Sequence, residues 1–171
     1  NFEEDVSFTK AKFNKDVWFW SAKFEKTSSF NNVIFAGHAN FLLTQFINYS
    51  SFAESHFKGG VVFEDTYFND VTSFYKASFK GATSFKDAEF NKNANFRKTE
   101  FEGPIDLTEL KFTQLEINWD SIEGKHLICD SSTYRDLIKN FNNLEQFSDS
   151  DACYYQYRDQ RKAGFIDYIA W

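Results

Sequence analysis

Phenylalanine recurs along the first two thirds of the chain at a spacing that alternates, without a break, between six and five residues. This ladder has 21 positions, of which 20 hold Phe and one holds Leu, and it accounts for all but three of the 23 Phe. From Val6 to Thr99, the residue two places before each ladder position is always Ala, Val, Ser or Thr. The ladder consists of Phe2, Phe8, Phe13, Phe19, Phe24, Phe30, Phe35, Phe41, Phe46, Phe52, Phe57, Phe63, Phe68, Phe74, Phe79, Phe85, Phe90, Phe96, Phe101, Leu107 and Phe112.

The repeated small-x-Phe unit predicts short β-strands, because residues i−2 and i point to the same side of a strand. A helix is excluded, since steps of five or six residues at about 100° each would place successive Phe on opposite faces. An odd step reverses the side-chain direction in a flat strand, so a corner must separate each Phe from the next small residue. The pattern therefore predicts a β-helix whose short sides each turn one small residue and one Phe inward.

One long and one short step together make up the period of the ladder, so one coil should hold either one or two such periods. A coil of one period would be too thin to hold two opposed Phe rings, whereas a coil of two periods has four sides and encloses a square. We therefore predict about five coils of about 22 residues, with identical rings stacked at the strand spacing of about 4.8 Å. The predicted columns are 2/24/46/68/90/112, 8/30/52/74/96, 13/35/57/79/101 and 19/41/63/85/107.

The stretch FKDAEFNKNANFRKTEF, residues 85–101, resembles the pentapeptide-repeat family, whose unit is a small residue, a polar residue and a central Leu or Phe. The resemblance covers residues 1–112 and implies a right-handed quadrilateral β-helix, which makes the chain mainly β. The alternating six-residue side departs from the plain family pattern and predicts one extra residue at every second corner. Because these repeats are scaffolds, the resemblance implies no catalytic activity.

The ladder is predicted to fail after Phe112, since the next position would be Asn118, and residues 113–130 are interpreted as an exit with one last partial coil. Ser131, Ser132 or Thr133 is predicted to be the N-cap of a first helix, with Asp136 in its first turn. Its apolar residues recur at helical spacing. They are Tyr134, Leu137, Ile138, Phe141 and Leu144.

A second helix is predicted after a turn and cap at Ser148–Asp151, running to about Lys162 with Gly164 as its C-cap. Ala152, Cys153 and Tyr155 are expected to face inward. The chain would then divide into a β-helix at 1–112, an exit at 113–130, and a helical hairpin with a tail at 131–171. The hairpin is expected to cap the open end of the β-helix, where rings and backbone would otherwise lie unpaired.

Residues 137–158 resemble the linker helices of prokaryotic proteins in which Phe-type pentapeptide repeats precede a membrane segment, often an ion-channel-like pore. The apolar residues 165–171 would then approach a membrane helix, or alternatively pack on the hairpin. The abrupt start at Asn1 and the absence of Met suggest a fragment, with further repeats upstream or an end-to-end contact with another copy. We expect a cytoplasmic scaffold domain, the soluble part of a larger membrane protein.

The alternative function implied by the family is a DNA mimic that binds a type II topoisomerase such as gyrase through an acidic rod. The net charge of the chain is −6, but residues 1–112 hold 15 acidic and 13 basic residues, which leaves the rod nearly neutral. Such a balance argues against mimicry of DNA, whose charge is dense and of one sign, and against a nucleic-acid partner.

No pattern of catalytic or metal-binding residues is present in the sequence. The three His have no metal-ligand spacing among themselves or with the two Cys, and His38 and His56 fall on outward or corner positions. No phosphate-binding loop or nucleophile elbow occurs, and Gly59 and Gly60 are interpreted as a turn. We therefore expect no enzyme, no cofactor and no metal, and treat Cys129 and Cys153 as buried apolar residues.

Six apolar side chains are predicted to point outward or to sit at corners near the 19/41/63 column. Exposed apolar clusters of this kind usually mark an interface, so we expect a protein contact here, either with a second copy or with a foreign partner. The alternative is that the chain's own C-terminal tail covers the cluster. The candidate patch consists of Trp18, Trp20, Leu42, Leu43, Ile47 and Val62.

Overall fold

The computed structural model describes the backbone of residues 1–124 and 126–169, and the side chains of residues 1–124 and 126–162. The described part is a parallel β-helix followed by a short 3-10 helix at Trp119–Ser121 and two α-helices, α1 (Ser131–Asn143) and α2 (Phe147–Ile169).

The β-helix is built almost entirely from two-residue strands, because a corner interrupts the chain on every side of the coil. The strands are β1 (Val6–Ser7), β2 (Lys12–Phe13), β3 (Val17–Trp18), β4 (Lys23–Phe24), β5 (Ser28–Ser29), β6 (Ile34–Phe35), β7 (Ala39–Asn40), β8 (Gln45–Phe46), β9 (Ser50–Ser51), β10 (His56–Phe57), β11 (Val61–Val62), β12 (Tyr67–Phe68), β13 (Thr72–Ser73), β14 (Ser78–Phe79), β15 (Thr83–Ser84), β16 (Glu89–Asn95), β17 (Glu100–Phe101), β18 (Ile105–Asp106), β19 (Lys111–Glu116) and β20 (Leu127–Ile128).

Every strand pairs in parallel with the strand one coil away. In coils one to five the register step is that of the predicted coil, since Val6 pairs with Ser28 and Phe57 pairs with Phe79. The coil therefore has the four predicted sides. Side 1 contains β4, β8 and β12, side 2 contains β1, β5, β9 and β13, side 3 contains β2, β6, β10, β14 and β17, and side 4 contains β3, β7, β11, β15, β18 and β20. The longer β16 and β19 run from side 1 into side 2 and join these two sides into one sheet.

The ladder residues fill the interior of the coil in four columns. Rings one coil apart stack face to face, as in Phe30 and Phe52 with centroids 4.7 Å apart and planes 5° apart. Rings on adjacent sides meet edge to face, as in Phe46 and Phe52 at 5.7 Å and 85°. Both are arrangements that the ring quadrupole favours, so the columns support one another. The ladder residues from Phe24 to Phe101 are buried, whereas Phe2, Phe8 and Phe13 in the first coil are half-buried.

Two kinds of corner alternate around the coil. The shorter ladder steps, which follow sides 2 and 4, contain a tight β-turn, as where the N–H of Ala77 donates to the carbonyl of Phe74 at 2.9 Å. The third residue of each tight turn has a positive φ of 51° to 63°. The longer steps, which follow sides 1 and 3, form wider corners. The extra residue therefore lies at every second corner, as predicted.

After the five predicted coils the chain forms a sixth, partial coil, as interpreted for residues 113–130, although the inward position shifts there. The pairing of β16 with β19 shortens by one residue after Phe90, so that Ala94 pairs with Leu115 instead of residue 116. Because of this one-residue shift, Ile117 takes the inward position and is 3% exposed, whereas the expected ladder residue Asn118 is exposed. Leu127 then pairs with Ile105 on side 4 and completes the coil.

The two helices form the predicted hairpin, although several details differ. Asp130 is the N-cap of α1, not Ser131, Ser132 or Thr133, because its carboxylate accepts the N–H groups of Ser132 and Thr133. Helix α2 begins at Phe147, so the predicted turn at residues 148–151 already lies within it, and Gly164 is inside α2 instead of capping it.

The inward face of α2 is formed by Ser150, Cys153 and Tyr157, which are buried, while Tyr155 is 66% exposed and was wrongly expected to face inward. The prediction for Tyr155 is wrong because the helix packs on α1 through positions 150, 153 and 157. Neither described helix combines the length and the apolar character that a membrane span requires. The side chains of residues 165–171, for which two packings were predicted, lie outside the described ones.

Candidate interaction surface

The candidate patch lies on side 4 and on the tight corner between sides 4 and 1, which we call corner 4/1. Trp18 is the outward residue of β3, and Val62 is the outward residue of β11 two coils later. Trp20 occupies corner 4/1, where the N–H of the next residue, Ser21, donates to the carbonyl of Leu42 at 2.9 Å. Five of the six predicted residues thus lie on one side and its adjoining corner.

Three residues of the patch are strongly exposed. The exposed fractions are 68% for Trp18, 64% for Trp20 and 47% for Leu43, whereas Leu42, Ile47 and Val62 are half-buried. Leu43 has a φ of 58° at the third position of its tight turn, a conformation uncommon for a leucine. The turn therefore holds an apolar side chain outward where polar residues occupy the same position in the other coils.

The patch is not continuous along side 4. In the register of β3, β7 and β11, Asn40 separates Trp18 from Val62. The Asn40 side chain is held in place because its Oδ1 accepts the N–H of Leu42 at 2.9 Å. The most exposed part of the patch is therefore the group of Trp18, Trp20 and Leu43 in the first two coils.

Ile47 lies apart from the other five residues, at the far end of side 1. Its neighbours at the following wide corner are Tyr49, 41% exposed, and Val71, 37% exposed, which sequence reasoning did not include. Tyr49 and Val71 lie one coil apart in one column, because the N–H of Ser50, the residue after Tyr49, donates to the carbonyl of Val71. The period of the coil, applied to outward positions as it was to the ladder, would have paired Tyr49 with Val71.

The helical hairpin lies at the opposite end of the rod from the patch. Helix α1 contacts β19, and α2 contacts the 3-10 helix at Trp119–Ser121, so both pack on the last coil. Trp18 and Trp20 are therefore not covered by the hairpin, and their exposed fractions are high. The predicted alternative, in which the C-terminal tail covers the patch, concerns residues outside the described side chains.

Wide corner 3/4, which follows side 3, carries a column of glycines at Gly37, Gly59, Gly81 and Gly103. A Cβ on Gly59 would lie 2.5 Å from the carbonyl oxygen of Gly37, so the backbones of successive coils touch here. Neither Gly59 nor Gly60 has a positive φ. Gly59 thus serves close backbone approach and not the turn conformation that sequence alone suggested.

The predicted positions of the histidines and cysteines are confirmed in part, because Cys129 is half-buried instead of buried. His38, His56 and His126 are exposed. Cys153 is fully buried and burial raises the pKa of its thiol to about 12, while burial, helped by Asp130, also raises the pKa of Cys129. Among the described residues, no group of three or more His, Cys, Asp or Glu is arranged to hold a metal ion.

Comparison with known proteins finds one family model, described as pentapeptide repeats (nine copies), which matches residues 1–42, 19–66 and 63–110. No curated protein sequence matches the chain. Two similar solved structures are trypsin-treated forms of QnrB1, a plasmid-mediated fluoroquinolone resistance protein. The first is 9% identical, with a TM-score of 0.32, covering 82% of this chain and 91% of that one. The second is 9% identical, with a TM-score of 0.19, covering 81% and 98%. At these TM-scores the likeness supports no conclusion about function.

Proposed function

Because the chain belongs to the pentapeptide-repeat family, we propose that it is a non-catalytic scaffold that contacts a protein partner through the patch around Trp18, Trp20 and Leu43. The observation that supports this proposal most directly is the exposure of two tryptophans, at 68% and 64%, on a rod whose other outward positions are mainly polar. Tryptophan is enriched among the residues that dominate binding energy at protein interfaces.

The construction of the rod supports a role in presenting a surface. Trp18 and Trp20 flank Phe19, whose ring stacks on that of Phe41 at 4.9 Å and packs against Phe24 and Phe30. The backbone that carries the two tryptophans is therefore anchored from inside. A surface that is fixed before binding loses little conformational entropy when a partner docks.

The partner is a second copy of the chain or a foreign protein, and solution mass distinguishes them. Two double variants, Trp20→Ser with Leu42→Ser and Trp20→Lys with Leu42→Lys, should lower the mass measured by light scattering if the patch joins two copies. Lys12→Ser, at an exposed outward position of side 3 away from the patch, is the control and should leave the mass unchanged. An unchanged mass in both double variants excludes self-association through this patch and directs the search to a foreign partner.

We propose further that the domain is cytoplasmic and precedes a membrane segment in the full protein. Beyond Tyr157, the described side chains of α2 are all exposed, so the helix leaves the body of the domain there. Its exit carries Arg158, Arg161 and Lys162, and cationic residues are enriched on the cytoplasmic flank of membrane spans. Genomic sequence downstream of Trp171 tests this: about 20 consecutive apolar residues are expected, and a stop codon or a polar continuation would contradict it.

The alternative of a topoisomerase-binding DNA mimic receives less support from the charges of the rod. The rod holds 15 acidic and 13 basic residues, and several lysines are outward, for example Lys76, Lys80 and Lys98. A supercoiling assay with gyrase separates the two functions, because inhibition is expected only from a DNA mimic.

A further inference from the structure

The tight corner between sides 2 and 3, which we call corner 2/3, carries a basic ridge formed by Tyr75, Lys76, Arg97 and Lys98. Tyr75 and Lys76 belong to one tight turn, and Arg97 and Lys98 belong to the turn one coil later. The two turns are stacked, because the N–H of Lys76 donates to the carbonyl of Arg97 at 3.1 Å. The ammonium groups of Lys76 and Lys98 lie 5.3 and 5.9 Å from the centroid of the Tyr75 ring. The three cations are exposed, and one carboxylate, that of Glu54, lies 4.0 Å from Lys76.

The diagonally opposite corner 4/1 carries an acidic ridge in the same part of the rod. It consists of Glu64, Asp65, Asp87 and Glu109, with Lys86 as the one cation among them. The N–H of Asp65 donates to the carbonyl of Lys86 at 3.1 Å, so these turns are stacked in the same way. In the described part of the chain, these four carboxylates make no ion pair.

The two ridges have the same spacing, because both follow the register of the coil. Asp65, Asp87 and Glu109 follow one another by one coil, as do Lys76 and Lys98, which gives about 4.8 Å between levels on either ridge. Lys76 comes half a coil after Asp65 and half a coil before Asp87. Charges of opposite sign thus have the same spacing on opposite corners of one rod, offset by half a coil, so that a half-coil shift between two rods brings them level.

From this complementarity we propose that copies of the protein associate side by side, with the basic ridge of one rod against the acidic ridge of the next. The contact is heterologous, since two different surfaces meet, and each copy at the end of such a row keeps one ridge free. In a twofold-symmetric dimer, by contrast, the same ridge of both copies would meet, and like charges would face each other. The association is therefore lateral and can extend beyond a dimer.

The ridges lie at the surface, so the contact is weak and depends on salt. Exposed ion pairs contribute little individually, and the Debye length falls from about 30 Å at 0.01 M to about 8 Å at 0.15 M ionic strength. The self-association proposed for the apolar patch uses different residues and does not have this salt dependence. The two contacts can therefore be tested separately.

Charge reversal at the tight corners leaves the fold intact, because the positive-φ position already accepts Glu54, Asp65, Lys76 and Asp87 in neighbouring coils. One variant combines Lys76→Glu with Lys98→Glu, and the other combines Asp65→Lys with Asp87→Lys. Lys10→Glu, at the same position of corner 2/3 but in the first coil, is the matched control. Thermal unfolding of each variant verifies that it is folded.

Sedimentation at about 0.02 M ionic strength over a range of concentrations measures the association. The average mass of the wild type and of Lys10→Glu should rise with concentration and should be higher at this ionic strength than at about 0.5 M salt. Each reversed variant alone should have the same mass at both salt concentrations, and an equimolar mixture of the two should associate again at low salt. Trp20→Ser should retain the salt-dependent association.

Four results would overturn the proposal. The first three are a wild type whose mass does not depend on salt, a reversed variant that associates as the wild type does, and a mixture that fails to associate. If Trp20→Ser abolishes the salt-dependent association, the apolar patch and not the ridges joins the copies, and the proposal is also wrong.

Discussion

Asn140 of α1 pairs with the backbone of Leu115 in β19 through both ends of its side-chain amide. The N–H of Leu115 donates to Oδ1 at 3.0 Å, and Nδ2 donates to the carbonyl of Leu115 at 2.9 Å. Gln146 continues this arrangement by donating to the carbonyl of Ile117 at 3.2 Å. Side chains of the hairpin thus supply hydrogen bonds that a further coil would have made, which is how the end of the β-helix is closed.

Replacing Asn140 with Leu should lower the free energy of unfolding by about 3 kcal/mol, because the buried N–H and carbonyl of Leu115 both lose their partner. Urea unfolding measures the change. Asn143→Leu, at the exposed end of the same helix, is the control and should alter stability by less than about 0.5 kcal/mol. Equal stabilities of the two variants would show that the amide pairing does not hold the cap.

The glycines at corner 3/4 provide a matched pair of substitutions. In Gly59→Ala the new Cβ would lie 2.5 Å from the backbone oxygen of Gly37, whereas in Gly60→Ala the nearest atom is Nδ1 of the exposed, movable His38 side chain, at 2.9 Å. Gly59→Ala should therefore lower the free energy of unfolding by about 2 kcal/mol or more, and Gly60→Ala by less than about 1 kcal/mol. Thermal or urea unfolding measures both losses. A larger loss in Gly60→Ala than in Gly59→Ala would contradict the close contact of successive coils at Gly59.

The Phe column should show an effect of position along the rod. Phe52 is fully buried between Phe30 and Phe74, with centroids at 4.7 and 5.0 Å, whereas Phe8 is half-buried in the first coil. Phe52→Ala should cost about 4 kcal/mol, because it removes a stacked ring and leaves a cavity. Phe8→Ala should cost about half as much, and similar losses in urea unfolding would indicate that the first coil is buried in solution.

The ionised carboxylate of Asp130 should stabilise the folded state, and this contribution should be lost when the carboxylate is protonated at low pH. Burial disfavours its charge, but hydrogen bonds from the hydroxyl of Thr133 and from the backbone of Glu109, Thr133 and Ser132 hold its pKa at about 2. Because this pKa is lower than the ordinary value of about 3.9, the contribution is complete above about pH 4 and is lost as the pH falls through about 2.

The comparison variant is Asp130→Asn, since Asn also caps helices well. Its melting temperature should fall less steeply than that of the wild type between about pH 4 and about pH 2. Parallel melting curves over this interval would mean that the carboxylate of Asp130 does not stabilise the folded state.

Most of the β-helix could be predicted because the ladder repeats one physical requirement in every coil. An inward ring is needed on each side, and the alternating steps of the ladder fix both the length of the coil and the alternation of corners. Phe41, for example, could be placed beside Phe19 and Phe63 without any structure. The prediction failed where the period changed. After Phe90 the step between paired residues of β16 and β19 is one residue shorter, which moved the inward position from Asn118 to Ile117.

The candidate surface was predictable only in part, because outward positions are not constrained by packing. The period placed Trp20 beside Leu42 correctly, but nothing in it fixes which outward side chains remain uncovered or how far Ile47 lies from Trp18. The helix cap and the inward face of α2 were decided by local geometry that several residues could have satisfied. Asp130 reaches two backbone N–H groups, and Tyr157 instead of Tyr155 meets α1, with its ring 5.5 Å from that of Tyr134.

The sequence by itself determined the interior of the first five coils, because there the rings recur at a constant coil length and must all point inward to be buried. Tertiary structure decided what the repeat does not encode: the contact of Asn140 with Leu115, the approach of Gly59 to Gly37, and the position of Lys98 beside the ring of Tyr75. These relationships join residues from different coils, or from a helix and a coil. They arise only when the backbone has closed on itself and brought distant parts of the chain to the same place.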